Sequence, residues 1–330
     1  MSEYRIGLNR GKPLRSDTPI PRYSVTPSLP QPRWRLPFSG RSTSLSPLTV
    51  SSDSNSGAKT FWQQSNDLNN RAWRHRLARF ARANFQRGCA RLLQLADDPR
   101  VVTAWRHGWD ADHFIRLLRC RDRGFRPRIV YDIGAHEGRW TEMCQSIFSP
   151  AQCFLFEPQP DYQARAKTRQ PAGARWEVIP VALGDAEQIR QIYVTENDTA
   201  SSLLRPLEGG VPPAWGTRTV NQREVQIATL DELAAKNKWP APDLVKIDVQ
   251  GYEGRVIAGG KNVLSQAQRL VVEVSLHAIY SEQSLLPEIA GTLSGWGYEI
   301  EDMNDACREW AGRLWQADLW WRRAGNPPTQ

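Results

Sequence analysis

Two short runs hold most of the chemistry legible in this 330-residue chain. The first is Val130-Tyr131-Asp132-Ile133-Gly134-Ala135-His136-Glu137-Gly138, an apolar strand entering a turn with two glycines four residues apart, followed by a helical pattern. Small residues there let a ligand approach the backbone, and a helix N-terminus favours a negatively charged group. G-x-x-x-G replaces the dinucleotide fingerprint G-x-G-x-x-G, and an acid, Asp132, stands two positions before the first glycine. A carboxylate repels a pyrophosphate but suits an ammonium group, so the loop favours a cationic cofactor such as S-adenosylmethionine over NAD. Glu157-Pro158 closes the next apolar run, 19 residues beyond Gly138, where an acid can accept hydrogen bonds from ribose hydroxyls. The second run is Leu244-Val245-Lys246-Ile247-Asp248-Val249-Gln250-Gly251-Tyr252-Glu253. Lys246 and Asp248 alternate with apolar residues and share one face near a strand's carboxyl end, where open α/β sheets bind ligands. A structural Lys-Asp pair is the plainer alternative, contributing little if exposed.

These side chains need a scaffold, and the chain supplies one by alternation. RIVYDI, QCFLF, RWEVIPVAL, DLVKIDV and RLVVEVS are short apolar runs rich in β-branched residues, separated by segments of helical length. The pattern predicts a mostly parallel sheet built from βα repeats. Thr229-Leu-Asp-Glu232 has the capping signature of a helix that ends near Trp239-Pro240. GWGYEIEDM and GRLWQADLWWRR carry no helix between them and predict a closing antiparallel hairpin. Upstream, Asp98-Pro99 is expected to cap one helix with Pro at its first position, and Asp110 to open another through Phe114, Ile115, Leu117 and Leu118.

Charge divides the chain. Residues 1–128 hold 24 Lys+Arg against 9 Asp+Glu, whereas residues 129–330 hold 19 against 26, so a net +8 joins a basic arm to an acidic body. Residues 1–60 are rich in Pro, Ser, Thr and Arg without periodicity and are expected to be a disordered tail. Met1 precedes no recognisable element, a pattern also expected if translation starts further along. Residues 61–127 form a basic helical extension, in which Trp73, Leu77, Phe80, Phe85, Leu92 and Leu93 make an apolar stripe opposite Arg71, Arg74, Arg79, Arg82 and Arg91. That helix is expected to cover the following domain; a phosphate-holding role on RNA, or one on an anionic membrane, is the alternative use. A domain over 128–324 and a short tail over 325–330 complete the division. Five cysteines without a C-x-x-C pair argue against a disulfide framework, and no apolar run approaches the roughly 20 residues of a bilayer span. A soluble, cytoplasmic protein is expected.

From about Arg128 to Arg322 the chain resembles the FkbM-type methyltransferases. The matching blocks are Asp132–Gly138, Phe156-Glu157-Pro158, Ala182-Leu-Gly-Asp185, Ser201-Ser-Leu203, Thr229-Leu-Asp231, Lys246–Glu253, Val272-Glu-Val274 and Gln316-Ala-Asp-Leu319. The resemblance implies a Rossmann-like class I methyltransferase fold with a seven-stranded, mostly parallel sheet. It also implies an S-adenosylmethionine-dependent O-methyltransferase acting on a sugar, glycan or polyketide-like hydroxyl. Asp132, Gly134 and Gly138 would hold the methionine end, Glu157 the ribose, and Ala182 with Leu183 the adenine. Pro158 and His136, which stands where such proteins often have Asn, belong to the same blocks. An alcohol oxygen needs a proton acceptor, for which Asp248 and His277 are candidates; Lys246 would partner Asp248 or, with Glu253, organise the loop. No constellation suggests a metal. An RNA-modifying methyltransferase or binding module using the basic helix is the alternative reading, and the oligomeric state is not expressed in the sequence.

Overall fold

The computed structural model describes residues 97–149, 151–208, 215–308 and 312–325. The expected tail over 1–60 and the helix carrying Arg71 to Arg91 lie outside the described residues, as does nearly all of 325–330. Helices α1 (Val101–His107) and α2 (Ala111–Asp122) precede a sheet whose strands are β1 (Ile129–Ile133), β2 (Gln152–Phe156), β3 (Arg175–Ile179), β7 (Leu244–Ile247), β8 (Arg269–Ser275), β9 (Tyr298–Arg308) and β10 (Leu314–Arg323). The seven strands lie in the order β3-β2-β1-β7-β8-β10-β9. The first five run parallel, whereas β10 is antiparallel to both β8 and β9. This is the Rossmann-like class I arrangement with its closing hairpin. The chain runs outward from β1 through β3, then returns to lay β7 on the other side of β1. The carboxyl ends of β1 and β7 therefore face a switch point, where adjacent loops diverge and leave a crevice.

Alternation along the strands builds two cores. Val130, Cys153, Leu155, Leu244, Val271 and Trp320 pack on one face, and Tyr131, Ile133, Phe154, Phe156, Val245, Ile247 and Val272 on the other. With both faces covered, each such large side chain contributes about 1.5–3 kcal/mol of burial. The first face is covered by α1, α2, α3 (Arg139–Ile147) and Ala166 of α4 (Pro160–Arg169). The second takes α5 (Leu230–Asn237), α6 (Glu253–Gly259), α7 (Lys261–Leu264) and α8 (Leu286–Gly295). Asp110 caps α2 by accepting the His113 N–H at 2.8 Å, and Thr229 caps α5 through Glu232 N at 3.2 Å, both as the spacing predicts.

Two expectations need correction. α1 begins at Val101, after Arg100, so Pro99 lies before the helix; Asp98 instead closes a turn by accepting the Arg100 N–H at 2.9 Å. The run RWEVIPVAL is two strands, because Pro180 has no N–H to continue the ladder. β3 stays in the main sheet, while β4 (Ala182–Leu183) joins a second sheet with β5 (Gln188–Thr195) and β6 (Thr219–Ala228) in the order β4-β6-β5. Cys120, Cys144 and Cys153 are free and buried. Among the described residues no helix is long and apolar enough to cross a membrane.

Candidate active site

The turn after β1 is pinned to both neighbouring strands. Gly134 and Ala135 donate their N–H groups to Phe156 O at 3.0 and 3.1 Å, and Asp248 N donates to Ile133 O at 3.0 Å. Gly134 has φ +81°, and a Cβ there would meet the Asp248 carbonyl oxygen at 1.9 Å. A glycine is therefore required twice over, by conformation and by the closeness of the β7 loop. Two residues on, His136 N donates to Glu157 Oε2 at 2.9 Å, while Gln159 N donates to Oε1 at 2.8 Å. Glu157 is thus held by backbone on both oxygens, yet a carboxylate has about four acceptor positions and two remain. Burial pushes its pKa up to about 7, against the pull of those two N–H groups. The His136 ring lies 3.8 Å from that of Tyr162, and burial lowers its pKa despite Asp198 at 3.7 Å.

Register explains the charged pair. Asp132 on β1 is directly paired with Lys246 on β7, so opposite charges share one face of the sheet. Asp132 is fully buried; its Oδ2 accepts from Thr141 Oγ1 at 2.6 Å, and its Oδ1 has no hydrogen-bond partner among the described residues. Burial raises its pKa, although Lys246 opposes that shift. Lys246 Nζ donates to Asp248 Oδ2 at 2.9 Å. Burial alone would depress the ammonium, but Asp248 and Asp132 together hold its pKa above the usual lysine value.

The β7 loop is shaped by residues from two of the sequence blocks. Glu253, first in α6, reaches back so that its Oε1 accepts from Val249 N at 3.0 Å and Gly251 N at 3.1 Å. Burial pushes its pKa up to about 7. Ser202 Oγ donates to Gln250 O at 2.6 Å, which ties the Ser-Ser-Leu block to this loop. Gln250 Nε2 donates to Asp248 Oδ1 at 2.8 Å and to Glu273 Oε2 at 2.9 Å.

A cavity of about 230 Å³ opens over these loops. Its walls include Gly134, His136, Glu157, Pro158, Ala182, Leu183, Lys246 and Asp248 among the residues singled out by sequence. Val181, Ile192, Trp140, Ser202 and Gln250 join them; Ser202 and Gln250 fall in family-matching blocks without a site role, and the sequence singles out neither Trp140 nor Ile192. Three expected site residues stand elsewhere. Asp132 lies beneath the cavity rather than on its wall. Gly138 is the N-cap of α3 with φ +76°, and a Cβ there would face Trp176 at 3.0 Å, so it serves packing. His277 is exposed and edge-on to Trp315, with centroids 5.2 Å apart, and lies outside the lining of this cavity.

The description "Methyltransferase FkbM domain" matches residues 132–300, about half of the chain, spanning β1 to the first residues of β9. The chain belongs to the FkbM methyltransferase family. Like the family, this FkbM protein is a methyltransferase that depends on S-adenosylmethionine. Among its relatives, 2-O-methyltransferase NoeI of Sinorhizobium fredii is 27% identical over 172 residues, 50% of this chain and 70% of NoeI. Hexuronic acid methyltransferase AglP of Haloferax volcanii is 28% identical over 163 residues, 48% of this chain and 60% of AglP, less than two thirds of that relative. Among solved structures, magnesium protoporphyrin IX methyltransferase ChlM of Synechocystis PCC 6803 with bound SAM is 12% identical; the overlap covers 69% of this chain and 83% of ChlM at a TM-score of 0.39.

Proposed function

We propose that this FkbM protein methylates a hydroxyl oxygen of a sugar or glycan, with the 230 Å³ cavity as its cofactor site and Asp248 as the proton acceptor. The residues present suit S-adenosylmethionine. Glu157 has acceptor positions left for ribose hydroxyls, Val181, Ala182, Leu183 and Ile192 offer an apolar shelf for the adenine, and Asp248 on the wall suits a cation. His136 and Pro158 line the ribose side, while Asp132 would act from below by fixing Thr141 and Lys246. When bound, the cofactor supplies a methyl group already activated by a sulfonium.

What remains for the chain is to align an acceptor oxygen and receive its proton. The observation that carries the reading is the position of Asp248, which lines both this cavity and a second, more polar cleft of about 530 Å³. Each Asp248 oxygen accepts one hydrogen bond, from Lys246 and from Gln250, which fixes the carboxylate and leaves lone pairs for a hydroxyl proton. The names of NoeI and AglP support an oxygen of a sugar-type acceptor.

Transfer of labelled methyl from S-adenosylmethionine to simple glycosides tests the proposal. The expected product is an ether that survives mild alkali; label released as methanol would mean an ester and count against it, as would failure of S-adenosylhomocysteine to bind.

A further prediction concerns Glu157. Ribose hydroxyls donate hydrogen bonds, so they favour the ionised carboxylate, and with a pKa of about 7 in the free protein that form is depleted as pH falls. Affinity for methylthioadenosine, which lacks the titrating amino acid portion, should weaken about tenfold between pH 8 and pH 6. Glu157→Gln should bind more weakly at every pH and lose the dependence; a flat wild-type profile by calorimetry would show that Glu157 does not meet the sugar.

A further inference from the structure

The second cleft, different in chemistry from the proposed cofactor cavity, shares Asp248, Gln250 and Thr199 with it. Its other walls come from distant segments: Asp110 at the start of α2, Asn197 after β5, Trp215, Glu273 on β8, Tyr280 and Gln316 on β10. Amides and carboxylates dominate this lining. Trp215 packs edge-on to Trp315, with ring centroids 5.2 Å apart, and is half-buried at the cleft wall. Polar groups that bond ring hydroxyls, beside an indole that can cover an apolar ring face, form a setting for a polyhydroxylated molecule.

The charge of the lining is one-sided. Asp110, Asp248 and Glu273 bring three carboxyl groups, and no Lys or Arg is among the described residues that line the cleft. Lys246 is committed to Asp248 at 2.9 Å. Glu273 already accepts from Gln250 at 2.9 Å and Gln316 at 3.0 Å, so its Oε2 is held in place. Burial, then Asp248 and Glu253, push the Glu273 pKa well up; an incoming carboxylate would meet the same crowding.

The geometry points to this cleft as the acceptor site, selective for sugars that carry no carboxylate, neutral or amine-bearing. The inference rests on the proposed sugar methylation and narrows it. A hexuronic acid, the acceptor class in the name of AglP, would bring a further carboxylate to a lining that already holds three carboxyl groups, with no Lys or Arg among the described lining residues to receive it.

The test uses the full chain loaded with S-adenosylhomocysteine and saturation-transfer NMR with three probes, methyl glucoside, methyl glucosaminide and methyl glucuronide. The first two should bind, and the glucuronide should bind at least about tenfold more weakly. Asp110→Asn removes a charge while keeping a side chain able to cap α2, and should narrow that gap about threefold. Equal or tighter binding of the glucuronide, or a gap unchanged in Asp110→Asn, overturns the inference. If the glucuronide is also methylated on a hydroxyl, the charge rule fails while sugar methylation stands. If no probe binds or is methylated although S-adenosylhomocysteine does bind, both fall.

Discussion

Asp248→Asn should lower kcat for methyl transfer by about 10²- to 10⁴-fold, the usual contribution of a positioned proton acceptor, while S-adenosylhomocysteine affinity changes only a few-fold. The asparagine side chain has the same size and still accepts on one oxygen, but it cannot take a proton from a hydroxyl. It also turns an NH₂ group toward Lys246 or Gln250, which donate to the two carboxylate oxygens at 2.9 and 2.8 Å in the wild type. Some loss of stability will accompany the change, so the thermal midpoint should be measured alongside. Asp248→Glu should restore part of kcat, which a purely structural role would not predict. An Asp248→Asn variant with wild-type kcat would remove Asp248 from the chemistry.

The second large effect is on stability. Lys246→Met should destabilise the fold by about 3–5 kcal/mol, because deleting one member of a buried charged group leaves the others uncompensated. Asp132 is fully buried and Asp248 is partly so, and Lys246 is the cation set between them by strand register. Its raised pKa means that it is protonated throughout the range where the protein can be handled, so the wild-type contribution is present across neutral and mildly acidic pH and lost only in strong alkali. The cost in the variant depends on pH through Asp132. Burial raises the Asp132 pKa, so lowering the pH neutralises it sooner than an ordinary aspartate, and a neutral acid needs no cation. Urea unfolding should therefore show a larger deficit at pH 8 than at pH 5; equal deficits at both would mean that packing of the lysine stem, not its charge, is what matters.

How much of this was legible depended on whether neighbours in space were also neighbours in sequence. The parallel strands announced themselves because every position is buried, as in β7, whose four residues are all buried. The second sheet did not: β5 and β6 expose polar side chains such as Gln191, Asn221 and Glu224, and lack the continuous apolar run of the buried strands. Glu157 could be found because position at a strand's carboxyl end and distance from the glycine turn are both one-dimensional facts. The pairing of Asp132 with Lys246 is a matter of register between strands more than 100 residues apart, invisible before the sheet order is known. His277 lies two residues past β8, where the direction of the chain is set by tertiary contacts such as the Trp315 ring, and its type alone could not say which way it turns. Glu253 was marked as a loop organiser, and its bonds to Val249 and Gly251 are of that kind.

The partition formed by Asp248 and Gln250 has sides built from different parts of the fold. One compartment lies over the carboxyl ends of β1, β2 and β7. The other sets Asp110, Asn197 and Trp215, which come from loops and helix ends, beside Glu273 and Gln316 of the sheet. Under the proposed assignment, exchanges at the loop-borne positions would change which acceptor is received while leaving the methyl-donating half intact.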